Sequence, residues 1–351
     1  MKYTCLLYGI CLSFMLMACK PDFDLNAPYE DVTVVYGILS YQEPIQYVKI
    51  YKGFQSKGRV FLDALEKDSI YYYNTIDVVL QEYNKDTRTN RPDIPLHITC
   101  DFPRDSGIFY FEDERIIYYT EEPVSKDYTY KIVITNTNTN KISEGVTPIV
   151  GDFSIKPDQT QINMLRSNTT IKFFKAPNAV DYEFHVTLLY FEVNNKTQEV
   201  KTGKIVKNIT SGIGESYLFN EEGEAMKTFT NTFYDDIAKI LKPNSEVTRY
   251  LGTPKQLPDG LKCFEIEGWA AGESMVNYLL SNKPTSSFVQ INTTYTNINV
   301  AEGEGLAYGF LSSKVKCPIR ELSTNTDSET ELVSGSKTRS LGFRPRTEYR
   351  P

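Results

Sequence analysis

The chain is poor in the residues that usually carry out chemistry. It has two histidines, His97 and His185, and a single tryptophan, Trp269. Each histidine sits in an apolar, strand-like segment, His97 beside Ile98 and His185 between Phe184 and Val186, where a structural role is the ordinary one. Two histidines so far apart give neither a Ser–His–Asp triad nor a histidine-rich metal site. None of the six cysteines stands in a CxxC pair, which argues against zinc and iron–sulfur patterns. No basic stripe runs through the chain; Lys+Arg 38 against Asp+Glu 45 gives a formal charge of −7, the wrong sign for binding nucleic acid. Carboxylates cluster at Glu112-Asp113-Glu114, Glu121-Glu122, Glu221-Glu222 and Asp235-Asp236. Adjacency in sequence does not set two carboxyls across a cleft, as glycoside hydrolysis requires. Asp101–Gly107 and Asn220–Glu224 lack the spacing of a calcium loop, and Gly303-x-Gly305 lacks the strand-to-helix setting of a dinucleotide fingerprint. This inventory predicts no enzyme, no metal and no cofactor.

Long apolar runs are equally scarce. The one uncharged stretch, Thr4 to Ala18 behind Lys2, has about 15 residues, short of the roughly 20 that span a bilayer, and reads as an export signal. It ends in Leu16-Met17-Ala18-Cys19, which resembles the bacterial lipobox. The resemblance implies that Cys19 is lipidated and becomes the first mature residue, tied to the lipid bilayer by two or three acyl chains. The residues that follow, Lys20-Pro21-Asp22-Phe23-Asp24, resemble the surface-export signal of Bacteroidota lipoproteins, with Lys20, Asp22 and Asp24 as the charged elements and Pro21 and Phe23 interrupting them. This implies an outer-membrane protein facing the cell exterior.

What is abundant is tyrosine (25) and phenylalanine (19), a composition that favours strands. From Asp31 onward, period-two runs bounded by turns recur roughly every ten residues: Val32–Leu39, Ile45–Tyr51, Ile76–Tyr83, Leu96–Cys100, Ile108–Phe111, Ile116–Thr120, Tyr128–Thr135 and Lys141–Pro148. A second series covers Thr169–Phe174, Tyr182–Val193, Gln198–Lys207, Lys262–Glu267 and Phe288–Thr294. Two helical insertions are predicted in it: Thr232–Leu241, with a Thr232-x-x-Asp235 capping signal and a stop at Pro243, and Gly272–Ser281. The fold expected is mostly β: two consecutive antiparallel β-sandwich domains, immunoglobulin- or fibronectin-III-like, with short helices in the second. The boundaries are a signal peptide (1–18), a lipidated tether (19–29), a first domain (30–151), a second domain (152–320) and a disordered tail (321–351). The tail is Ser/Thr/Glu-rich and then Arg-rich, with Leu341 and Phe343 as a candidate docking motif.

Three cysteines remain after the signal and Cys19. Cys263 and Cys317 form a candidate disulfide, with separate buried thiols as the alternative, and Cys100 is left free. Tyr71-Tyr72-Tyr73 and Tyr118-Tyr119 are candidate binding aromatics, able to stack on a sugar or pack against a partner. Plain packing is the competing reading, because alternate strand residues point inward.

Asp31-Val-Thr-Val-Val-Tyr-Gly-Ile-Leu39, Gln46-Tyr-Val-Lys-Ile-Tyr-Lys-Gly-Phe54 and the closing Tyr295-Thr-Asn-Ile298 with Gly303-Glu-Gly-Leu306 and Gly309-Phe310 resemble an uncharacterised two-domain Bacteroidota outer-membrane lipoprotein family. The resemblance runs through most of residues 19–312; Val300-Ala301-Glu302 and the long tail depart from it. It implies no catalytic residue. Some members accompany outer-membrane transporters, so the expected function is a non-enzymatic surface subunit of an outer-membrane β-barrel complex, a transporter or a barrel-assembly machine. A glycan-binding surface lipoprotein and a fimbrial subunit are the alternatives.

Overall fold

The structure is a computed structural model and describes residues 31–53, 70–101, 116–210, 217–256, 261–283, 294–301 and 305–349. The export signal, Cys19, Lys20, Asp22 and Asp24 lie outside these residues, as do the strand expected at 108–111 and nearly all of that at 288–294. The chain is mostly β. Strands β1 (Thr33–Leu39), β2 (Gln46–Lys52), β3 (Ile76–Asn84), β4 (Thr87–Arg88), β5 (Ile94–Pro95), β6 (His97–Thr99), β7 (Ile117–Thr120), β8 (Thr129–Asn136) and β9 (Ile142–Pro148) come first. They are followed by β10 (Gln161–Ile162), β11 (Asn168–Phe174), β12 (Ala179–Asn194), β13 (Val200–Thr210), β14 (Glu224–Thr230), helix α1 (Phe233–Ile240), β15 (Val247–Leu251), β16 (Phe264–Gly272) and helix α2 (Glu273–Ser281). The chain closes with β17 (Ile298–Ala301), β18 (Ala307–Lys316), β19 (Arg320–Thr324) and helix α3 (Thr326–Ser334). No helix among the described residues is long and apolar enough to cross a membrane.

The alternation read from the sequence is the alternation of burial. In β1, Thr33, Val35, Gly37 and Leu39 face inward while Val34, Tyr36 and Ile38 are half-buried; β8 and β16 repeat the pattern. Such strands form sandwiches because each sheet has one apolar face to bury. The first core lies between the sheet β17-β9-β8-β3 and the strands β18-β1-β2-β7, and contains Val35, Ile50, Leu80, Ile132 and Ile149. The second core gathers Phe173, Phe184, Phe233, Phe264 and Ile266 from β11, β12, α1 and β16. Both helices form where periodicity placed them. At α1, Thr232 does not cap through Asp235; its hydroxyl donates to Asp236 at 2.6 Å, which also takes Lys207 at 3.1 Å.

The boundary between cores falls between Ile149 and Val150, next to the expected break at 151. The cores are not strictly consecutive, however. Residues 298–301 and 307–311 return to the first core: β17 adds to β9, and β18 pairs in parallel with β1 from Thr33↔Ala307 to Leu39↔Ser313. Farther along, β18 pairs with β16, Trp269↔Lys316 to Ala271↔Lys314. One strand therefore puts Leu311 in the first core and Val315 in the second, within a single eleven-stranded sheet. Ser313, fully buried, fastens the linker: its hydroxyl donates to Pro148 O at 2.7 Å and accepts from Val150 N–H at 2.9 Å. The close approach needs Gly309, at φ +96°, where a Cβ would lie 1.8 Å from Val35 O.

The expected disordered tail is folded. In β19, Leu322 pairs with Phe264, α3 buries Ser328 and Leu332, and Leu341 and Phe343 join the second core. Of the arginines that made the segment look solvated, Arg339 and Arg344 are exposed, but Arg346 acts as a buried donor. Arg346, 3% exposed, donates through its backbone N–H to Glu329 at 2.8 Å and through its guanidinium to Thr253 O at 3.2 Å, and stacks on Tyr349. From the body, Arg249 donates to Glu192 at 2.7 Å and to the carbonyl of Leu341. Leu341 and Phe343 are therefore packing residues, not a free docking motif.

Gly309→Ala should cost roughly 3 kcal/mol or more, since it combines a left-handed φ with a backbone clash; chemical denaturation measures this, and a loss within error of zero would mean that β1 and β18 separate freely. Removing residues 321–351 should abolish cooperative melting. Burying Leu332, Leu341 and Phe343 contributes roughly 5–9 kcal/mol, as much as a typical domain's net stability. A truncated protein melting within a few degrees of the parent would contradict that packing.

Candidate functional site

The aromatic candidates separate by strand parity. Tyr118 points inward from β7 and is 2% exposed; burial pushes its phenol pKa up. Tyr71 and Tyr72 are likewise buried, and Tyr72 donates to Asp31 at 2.8 Å. These three are core residues, which corrects their reading as a binding platform. Tyr73 is half-buried against Tyr71, and Tyr119 lies on the outer face, flanked by Tyr47 at 6.4 Å and His97 at 6.2 Å.

The disulfide is also corrected: Cys263 and Cys317 are separate buried thiols. Cys263 opens the β16 segment, whereas Cys317 N–H bonds to Gly268 O, five residues farther along it. At about 3.3 Å per residue that is roughly 16 Å, far beyond disulfide reach. Burial raises both pKa values, Cys263 to about 12 and Cys317 to about 11, so both stay protonated. Cys100 is exposed and free. No group of three or more His, Cys, Asp and Glu among the described residues is arranged to hold a metal ion.

One concavity that sequence reading missed combines an aromatic floor with an apolar wall. A cleft of about 380 Å³ opens between α2 and the outer face of β12, β16 and β18. Trp269 forms its floor. On β16, Phe264, Ile266, Gly268 and Ala270 turn inward, so Trp269 shares the outward parity with Glu265 and Glu267. Its neighbours follow from register: Glu183 on β12 and Lys316 on β18 sit directly opposite, and His185 lies diagonally with ring centroids 4.4 Å apart. Lys316, which is not among the walls of the cleft, holds its ammonium 5.1 Å from the indole and pairs with Glu267 at 2.7 Å. His185 Nε2 is 3.2 Å from the Glu183 carboxylate. Asp181 and Lys314 complete the polar rim.

The opposite wall is α2. Met275, Val276 and Leu279 lie at helical spacing and face the cleft. The other flank of the helix is clamped to the sheet: Tyr278 packs on Phe310 at 4.7 Å and its hydroxyl donates to Tyr36 at 3.1 Å. That hydrogen bond, with burial, pushes the Tyr278 phenol up to about 12, so it stays neutral. At the helix start, Ser312 Oγ accepts from Met275 N–H at 3.1 Å, satisfying one of the free N–H groups of the first turn. Asn297 ties the assembly together, donating to Ser274 at 2.9 Å, Leu311 O at 2.9 Å and Val146 O at 3.0 Å while accepting from Leu311 N–H. The signal for this site was present in the sequence as the sole tryptophan, standing on the charged parity of a strand. Its partners, some 84 residues earlier on β12, had no such signal.

No protein-family model matches the chain, and no curated protein matches it. Among solved structures it is similar to a chain of "Cytokine receptor complex - Crystal form 1A", at 8% identity over 82% of this chain and 95% of that one, with a TM-score of 0.22. A likeness at that level carries no argument.

Asn297→Ala should cost about 2–3 kcal/mol, the loss of several part-buried hydrogen bonds, and loosen α2. Trp269 emission should then move to longer wavelength. Unchanged emission would mean that Tyr278 and Ser312 hold the helix without Asn297.

Proposed function

We propose that the protein is a non-enzymatic, lipid-anchored subunit on the outside of the outer membrane, docked on a β-barrel partner, a transporter or a barrel-assembly machine. The observation that carries this reading is the distance between anchor and body. The tether from Cys19 to Asp31 spans at most about 40 Å when fully extended, so the folded body stays within that distance of the bilayer and meets partners embedded in the same leaflet. The body begins at β1, in the middle of the eleven-stranded sheet. The outer face of that sheet presents half-buried Tyr47, Tyr51 and Tyr119 together with exposed Lys49. Tyrosines, which bring large rigid contact area with a polar tip, are enriched in protein-binding surfaces. The resemblance to a lipoprotein family some of whose members accompany transporters supports the same reading, and the acidic balance disfavours nucleic acid.

Cys19→Ala should release the protein from the membrane fraction, because an acidic body has no affinity for an anionic leaflet. Lys20→Ala, Asp22→Ala and Asp24→Ala together should keep the lipid but hide the protein from protease added to whole cells. Mild solubilisation and mass spectrometry should recover the parent with a β-barrel. Recovery only as a monomer would overturn the subunit reading, and a triple variant as accessible as the parent would overturn the export signal.

A further inference from the structure

We infer that the Trp269 cleft is a subsite for one pyranose ring of a glycan. This goes beyond the docking role and does not rest on it. Three features of the cleft choose the ligand class. Its floor is a half-buried indole, the largest flat apolar surface a side chain offers, while Met275, Val276 and Leu279 make the facing wall apolar. Its polar groups stand along the rim, where Asp181 and Glu183 accept hydrogen bonds and Lys314 donates them. The rim charges are of both signs, and Glu183 is already engaged by His185. A simple anion or cation is therefore not favoured, and a wholly apolar ligand would strip water from the charged rim without replacing its hydrogen bonds. A neutral ring with one C–H face and an edge of hydroxyls satisfies both the indole and the rim.

Size agrees with this. A cleft of about 380 Å³ is near the lower end of ligand pockets, room for one ring with its substituents and not for a folded segment. The site is also preformed: α2 is fixed by Tyr278, Ser312 and Asn297, and the indole is held by Lys316 and His185. A ligand therefore spends little of its binding energy on ordering the walls. The seam between the two cores, where β16 meets β18, carries the site.

The test uses the chain's single tryptophan, which makes its emission a reporter on this cleft alone. The full-length protein, solubilised in a detergent without a sugar headgroup, is titrated with glucose, galactose, mannose, N-acetylglucosamine, cellobiose and maltotriose, with glycerol as control. At least one sugar should give a saturable change with a Kd on the order of 1 mM for a single ring, and glycerol should give none. Leu279→Arg, at a position 39% exposed, keeps the reporter and fills the cleft; it should abolish the response without lowering Tm. Asp181→Ala should weaken binding about tenfold, as should Lys314→Ala, the loss of one rim hydrogen bond each. Trp269→Phe, followed by calorimetry, should retain weakened binding through its smaller ring.

No saturable response to any of these sugars overturns the proposal. A response that survives Leu279→Arg in a folded variant overturns it equally. An emission change with the co-purified barrel fraction, but with no sugar, gives the cleft to a protein side chain and likewise overturns it. Membrane release and partner recovery are read separately, so failure here leaves the docking role standing, and the reverse.

Discussion

Everything in this fold depends on the parallel pairing of β18 with β1. Parallel neighbours require a long crossover, and here it runs from β2 to β17, through the rest of the first sandwich and then most strands of the second. The strand that opens the described chain is completed only by one that arrives about 270 residues later. Until then the first sandwich lacks β17 and half of β18, and the second lacks the strand that joins β16 to the rest of the sheet. Gly309 is the point of closest approach, with Val35 O where a side chain would begin. The two cores thus share a hydrogen-bonded strand as well as a linker, and a break at β18 exposes both.

The shared strand also explains where the cleft lies. A sheet that passes from one core to the next presents its outer face over both, and α2 crosses that face next to β18. One flank of the helix is consumed by Tyr278, Phe310 and Tyr36. The other flank buries Val276 and, with Met275 and Leu279, lines the cleft in which Trp269 stays half-buried. The polar residues around the indole come from three strands and owe their proximity to register: a slip of one residue in β16 would turn Trp269 inward and Gly268 or Ala270 outward. The site therefore inherits its geometry from the same ladder that holds the cores together.

The C-terminal segment shows how composition misleads. Serine, threonine, glutamate and arginine ordinarily mark chain that cannot bury enough apolar surface to offset its conformational entropy. Here a few apolar residues suffice, because arginines supply the hydrogen bonds that the surrounding carbonyls need. Arg249 and Arg346 are almost wholly buried, and their guanidinium groups bond to backbone oxygens of Lys242, Leu341 and Thr253. Each guanidinium has five donors in a rigid fork, enough to fasten a strap with little apolar content.

The sequence by itself determined the local grammar. Period-two runs located β1, β2, β3, β8, β9 and β12 to within a few residues, and 3.6-periodicity with its stop signals located α1 and α2. These follow from alternation and helical periodicity, which act between near neighbours. The same alternation separates Tyr118 from Tyr119, although nothing in the run says which of the two faces inward. Only tertiary structure decided the rest: the return of β17 and the first half of β18 to the first core, the folding of the tail, the distance between Cys263 and Cys317, and the meeting of Trp269 with His185 and α2. Each of these is a contact between segments distant in sequence, and its free energy depends on which surfaces the remaining strands leave unpaired. No local pattern carries that information, because the partner that settles it lies elsewhere in the chain.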